Sequence, residues 1–298
     1  MQHHVSKLLK QYLLLIRLPN VFTTPSNILT GYFAAVTVAE ANSTQLLALT
    51  ISSGLLYVAG ILLNDYFDIE IDRRERPSRP LPSGTISKRQ ALAIAVAALV
   101  IGNAMTLVVG LVSLTVSIGL SAAIFAYDYR LKRGLFGPFA MGGTRFLNLI
   151  LGASPLLLYV TSTSIVIILT AAISLFLYVV AITILSKKEA GNGKPNLTVT
   201  FLIISGVIGA ILSLGFFVQL HWSFLLNLSI FAAVMIVTFK QHLLRDSPSV
   251  QKAVRNMVIS IIILDSVFIS GTAGPFYGLT TLLLIVPTVA LARKLYVT

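Results

Sequence analysis

Ten apolar runs follow one another along this chain, most of them about the length that crosses a bilayer as an α-helix. They fall near residues 12–38, 46–67, 91–110, 112–127, 138–160, 165–186, 198–220, 223–242, 253–273 and 275–292. The fourth and tenth are short, so the pattern predicts nine to ten spans. Hydrocarbon offers no water to satisfy backbone groups, so only helices and closed barrels cross it, and runs this long select helices. The expected fold class is all-α, an integral membrane bundle of transmembrane helices. Composition agrees: 56% of the 298 residues are hydrophobic and 11% are charged, where a soluble domain carries about 25% charged residues. No Pro/Ser-rich linker or low-complexity tract divides the chain, so residues 1–298 read as a single transmembrane domain. The first run is too long for a cleavable signal peptide and contains Pro19 and Pro25.

The basic residues set the orientation. They crowd the start of the chain, the links after the second, fourth, sixth and eighth runs, and the region after the tenth. Alternate links such as AEANST and TSTS hold no Lys or Arg. Every basic residue but Arg145 thus falls on one side, which the positive-inside rule names cytoplasmic. The net charge of +12 is then a topology signal and an attraction to membrane lipid headgroups. It is not the footprint of a nucleic acid. With no cysteine in the chain, disulfides and thiolate metal sites are excluded.

Against this apolar background the stretch LLNDYFDIEIDRRERPSRPLPSG stands out. It holds five of the chain's ten acidic residues, and four of them, Asp65, Asp68, Glu70 and Asp72, fall within eight positions at the end of the second run. On a continuing helix Asn64, Asp68 and Asp72 stack at i, i+4 and i+8, and Asp65 borders the same face. Like charges so placed repel unless a cation bridges them. Carboxylates and an amide oxygen are hard ligands suited to Mg²⁺, which takes one or two carboxylates and completes its shell with water and phosphate oxygens. The alternative is a solvated helix end whose acids pair with the arginines behind them. Spacing alone leaves both readings open.

NDYFDIEID followed by RPLPSG resembles the first Asp-rich motif of the UbiA superfamily of intramembrane prenyltransferases, N-D-x-x-D-x-x-x-D and then R-P-x-x-S-G. RLPNVFTTPSNILTGYFAA is similar to that family's opening helix, with Arg17 and Asn20 at its pocket-facing positions, and YDYRLKR resembles its Tyr-x-x-x-x-Lys element as Tyr127 and Lys132. The resemblance implies helices around a central cavity. It further implies prenyl diphosphate bound through Mg²⁺ held by Asn64, Asp65, Asp68 and Asp72, with transfer of the prenyl group to an aromatic or other lipophilic acceptor. Arg79, Lys132, Lys187 and Lys188 are the expected diphosphate contacts, and the active-site links lie on the cytoplasmic side.

The chain departs from the family after the sixth run. Where typical members carry two or three aspartates, this one has TILSKKEAGNGKPN, with Glu189 as the only carboxylate. A second metal there is not expected; the lysines and Glu189 stand in its place, or the chemistry is altered. In the fifth run Arg145 and Asn148 share one helix face and are expected to line the pocket. A central Arg needs an anionic partner: the substrate diphosphate, Asp265 or Asp128. No general base is identifiable. Two rivals remain open: a terpene cyclase, which quenches the cation without an acceptor, and a non-catalytic lipid-binding or transport protein on the same scaffold.

Overall fold

In the computed structural model, residues 10–187, 197–244 and 249–295 are described, and among them there is no strand. A helical segment over residues 10–15 leads into α1 (Leu18–Val21), α2 (Thr23–Ala35), α3 (Ser43–Phe67), α4 (Ile69–Glu75), α5 (Lys88–Met105), α6 (Leu111–Tyr129) and α7 (Gly137–Ala153). Then come α8 (Ser162–Lys187), α9 (Leu197–Phe217), α10 (Ser223–Thr238), α11 (Val250–Ala273), α12 (Pro275–Leu282) and α13 (Ile285–Leu295). Local chemistry starts several of them. The Asn42 carboxamide accepts from the N–H groups of Thr44 and Gln45 at 3.0 and 3.1 Å and caps α3. Ser87 and Gln90 form a reciprocal capping box on α5, and Pro residues open α7 and α12, where a missing N–H costs nothing.

Eight helical segments are long and apolar enough to cross a membrane among the described residues. They are the second to fourth and the sixth to tenth of the predicted runs. The first predicted run is broken into α1 and α2, and the fifth is the 17-residue α7, both too short to qualify. The tenth, Pro275–Lys294, is one of the eight and carries a turn at residues 283–284 between α12 and α13. Average composition over such a run does not register where a helix stops; Pro25 in α2 and Pro155 just after α7 are the local signals.

The helices of the first and fifth runs are inner ones. α2 packs on α3, α7, α8 and α11, and α11 is the most enclosed of the spans. Close approach of α2 to α7 depends on two glycines: a Cβ on Gly31 would collide with the Leu149 carbonyl, and one on Gly152 with the Ile28 carbonyl. Small residues serve this purpose in helix pairs within lipid. The outward faces carry exposed apolar side chains such as Val100, Ile118, Ile173, Phe201 and Ile236. That is the pattern of a surface solvated by lipid.

Candidate active site

The helix of the second apolar run does not stop with the hydrocarbon. Asp68 N–H bonds the Asn64 carbonyl at 3.1 Å and Asp72 N–H bonds the Asp68 carbonyl at 2.8 Å, so α3 runs into α4 with the i, i+4 ladder intact. Asn64, Asp68 and Asp72 therefore lie on successive turns, as their spacing predicts. Asp65 and Asp72 are only 4% and 3% exposed. Buried carboxylates are costly unless paired, and each is answered.

The loop after α4 folds back over the acids, with Leu81 and Ile86 buried beneath it. Gly84 takes φ 76° there, a left-handed conformation that glycine adopts without steric cost. This places Arg79 Nη1 2.8 Å from Asp72 Oδ2 and 3.7 Å from Asp65 Oδ1. Arg17 Nη2 donates to Asp65 Oδ1 at 2.9 Å. Arg17 itself has φ 49°, and is the one non-glycine residue with positive φ among the described residues. Such a conformation costs about 1–2 kcal/mol and turns the chain into α1 just where the guanidinium meets the acid. From the link between α6 and α7, Lys132 Nζ donates to Asp68 Oδ2 at 2.7 Å and Asn64 Oδ1 at 3.1 Å, while Arg133 Nη2 lies 3.4 Å from Asp68 Oδ1. Both readings of the acids thus meet in part. Asp72 pairs with an arginine just behind it, whereas Asp65 and Asp68 take cations from distant helices.

Beneath these charges lies a cavity of about 140 Å³. Its wall is apolar, from Leu56, Gly60, Ile61, Leu120, Ile124 and Met141. Arg17, Asn64, Tyr127 and Asp128 stand at the charged end, and Thr24, Ser53, Thr144, Arg145 and Asn148 line it deeper in the bundle. Ser53, Tyr57, Gly60 and Asn64 recur at spacings of four, three and four along α3, one helix face. That polar stripe was readable in the sequence and was missed, because it is diluted by the leucines around it.

Arg145 is 8% exposed, and its partner is reached through an intermediary. Its Nη1 donates to Asn27 Oδ1 at 3.2 Å, and Asn27 Nδ2 donates to Asp265 Oδ2 at 2.6 Å, where Ser26 Oγ also donates at 2.5 Å. Asn148 Nδ2 shares Asn27 Oδ1 at 3.4 Å, and its own Oδ1 accepts from Ser53 Oγ at 2.7 Å. The Tyr57 ring centroid lies 5.8 Å from the guanidinium carbon. Of the two carboxylates weighed from sequence, Asp265 supplies the charge. Asn27 and Ser26 were not anticipated.

The remaining expected residues are scattered. Asn20 sits on α1 with its carbonyl accepting from Thr23 Oγ1 at 2.8 Å and does not line the cavity. Lys187 Nζ donates to the Gly134 carbonyl at 2.7 Å, tying the end of α8 to the link that carries Lys132. Lys188 and Glu189 lie outside the described residues.

The donor set bears on Mg²⁺ as follows. No group of three or more His, Cys, Asp or Glu converges on one point among the described residues. Two hard oxygens do converge, Asn64 Oδ1 and Asp68 Oδ2, on the Lys132 ammonium. Asp65 and Asp72 turn toward Arg17 and Arg79 instead. The residues fit an Mg²⁺ that brings most of its shell as phosphate oxygens and water; they do not make a four-ligand protein cage.

The model of the UbiA prenyltransferase family matches residues 26–262, most of the chain. The chain belongs to that family. Among curated UbiA relatives, the digeranylgeranylglyceryl phosphate synthase of Saccharolobus solfataricus is 30% identical over 146 residues, 48% of this chain and 51% of that one. The chain spans about half the length of the curated relatives it matches. Solved UbiA folds cover more of it. A UbiA homolog from Aeropyrum pernix superposes with TM-score 0.69 at 16% identity, covering 84% of this chain and 96% of that one. One from Archaeoglobus fulgidus, bound to GPP and Mg²⁺, gives TM-score 0.54 at 15% identity and covers 95% and 99%. The all-helical bundle is therefore the UbiA fold.

Proposed function

We propose that this UbiA protein transfers a prenyl group from a prenyl diphosphate to an aromatic or other lipophilic acceptor within the membrane, with Mg²⁺ as cofactor. One observation carries the reading: a cluster of carboxylates and cations sits directly over an apolar cavity inside the bundle. That arrangement suits a molecule with a multiply charged head and a hydrocarbon tail. Curated relatives named digeranylgeranylglyceryl phosphate synthase and a fold neighbour bound to GPP and Mg²⁺ support it.

Asn64 and Asp68 would hold the metal, with Asp65 and Asp72 supporting the helix end through Arg17 and Arg79. When bound, Mg²⁺ supplies charge to neutralise the departing diphosphate. Lys132 and Arg17, at the charged end of the cavity, bind the diphosphate oxygens, and Arg79 braces the loop above them. Lys187, with Lys188 and Glu189, replaces the second metal site of other members. The apolar wall holds the isoprenoid chain, each buried methylene contributing about 0.8 kcal/mol, and keeps water from the allylic cation. The charged end faces the cytoplasm, by the positive-inside distribution.

The test is inorganic diphosphate release from geranylgeranyl or farnesyl diphosphate with Mg²⁺, with a panel of lipophilic acceptors and with none, and product masses read in parallel. Release with acceptor, together with a prenylated product, is expected. Release without acceptor and a cyclic hydrocarbon product would convert the protein to a cyclase. Tight analogue binding with no release under any condition would leave a lipid-binding scaffold.

A further inference from the structure

We infer that Asp128 is a catalytic proton acceptor that takes the proton of a hydroxyl acceptor. The inference rests on the transfer reading above. Three carboxylates at the charged end are each matched by cations: Asp65 by Arg17 and Arg79, Asp72 by Arg79 and Arg76, Asp68 by Lys132 and Arg133. Asp128 is the exception. It is 2% exposed and lines the cavity, yet no cation lies within 4.0 Å of it and no hydrogen bond reaches its carboxylate among the described residues.

Lys132 and Arg17 favour its charge only from longer range, without an ion pair among the described residues. Asp128 lies in the last turn of α6 (Leu111–Tyr129), where the aligned peptide dipoles disfavour negative charge. An ionisable side chain inside a span is expensive and points to function by default. A purely structural position would be served as well by asparagine or serine. The location also suits the chemistry. Lys132, which we place on the diphosphate, follows the span, and Asp128 sits within it on the cavity wall. A diphosphate held by Lys132 would leave the carbon bonded to it at the end of the cavity that Asp128 lines.

The step balances without any further reagent. The acceptor oxygen forms a bond to C1 of the prenyl group with one of its lone pairs. The C1–O bond to diphosphate breaks and its electron pair leaves with the diphosphate. The hydroxyl proton passes to an Asp128 oxygen and is lost to water after product release. A positioned general base contributes about 10²- to 10⁴-fold.

The experiment uses the full chain with geranylgeranyl diphosphate, Mg²⁺ and two hydroxyl acceptors, geranylgeranylglyceryl phosphate and 4-heptylphenol, and compares wild type with Asp128→Asn and Asp128→Glu. Binding of the unreactive geranylgeranyl thiolodiphosphate is measured on each. The expected result is a prenyl ether from wild type. Asp128→Asn should bind the analogue within three-fold of wild type yet make ether at least 100-fold more slowly, and Asp128→Glu should recover part of the rate. A fluorinated 4-heptylphenol, whose hydroxyl ionises without help, should narrow the gap between wild type and Asp128→Asn. Ether formation by Asp128→Asn within three-fold of wild type overturns the inference. So does loss of analogue binding in step with loss of rate, which makes Asp128 structural. Prenylation by wild type at carbon alone also overturns it while leaving the transfer reading intact. No prenylated product from wild type with any acceptor, including those of the wider panel, defeats the transfer reading itself.

Discussion

Asp68 holds two cations at once, Lys132 through one oxygen and Arg133 through the other. It therefore connects the acidic helix end to the link between α6 and α7. Asp68→Ala should abolish the thermal stabilisation that a prenyl thiolodiphosphate with Mg²⁺ confers on the wild-type protein. An unchanged shift would remove this residue from the site. Deeper in the bundle, the Arg145 charge is balanced by Asp265 only through the Asn27 carboxamide. Removing one partner of a buried charge pair costs about 3–5 kcal/mol. Asp265→Asn should destabilise the protein by about that amount in a thermal or denaturant unfolding assay, and adding Arg145→Gln should restore most of it, since both charges are then gone. A loss in the double variant equal to the sum of the Asp265→Asn and Arg145→Gln losses would mean the two residues are not coupled. The identities of these residues stood out in the sequence because charge is rare there. Their partners did not, because Arg17 and Asp65 lie 48 positions apart and Ser26 and Asp265 lie 239 apart.

At the level of helices, the contact between α2 and α7 brings Asn27 to Arg145, and it exists because Gly31 and Gly152 have no side chain to hold the backbones apart. Gly152→Ala should lower stability by about 1–3 kcal/mol, the usual cost of overpacking, and should also reduce diphosphate release by displacing Arg145 and Asn148. Gly119→Ala on α6, with open space around the site of the added methyl, should leave stability unchanged or raise it by up to about 1 kcal/mol through helix propensity. Thermal unfolding of the two variants side by side checks both. The sequence shows the glycines but not which of them meet a neighbour. The i, i+4 ladder of Asn64, Asp68 and Asp72 was legible, since it depends only on the helix continuing past the span. The break between α12 and α13 was not, because the residues on either side of it are equally apolar, whereas Pro19 and Pro25 do flank the break between α1 and α2.

For the whole molecule, the alternation of basic and uncharged links predicts which ends face the cytoplasm. A cysteine introduced at Ser83 should resist an impermeant thiol reagent in intact cells, and one at Thr161 should react; the chain has no native cysteine to interfere. The reverse pattern would place the charged site outside the cell. Membrane class, helical architecture, this alternation and the acidic motif at the end of α3 were all determined by the sequence by itself. Each depends on composition or on spacing within a single helix, and such local rules act before any helix meets another. Tertiary structure decided the rest. It joined Arg17, Arg79 and Lys132 to the three aspartates, linked Arg145 to Asp265 through Asn27, and left Asp128 on the cavity wall with no ion pair among the described residues. The reason is physical: in hydrocarbon a charge must find its counterpart wherever helix packing brings one within reach, and the order of residues along the chain does not specify that distance.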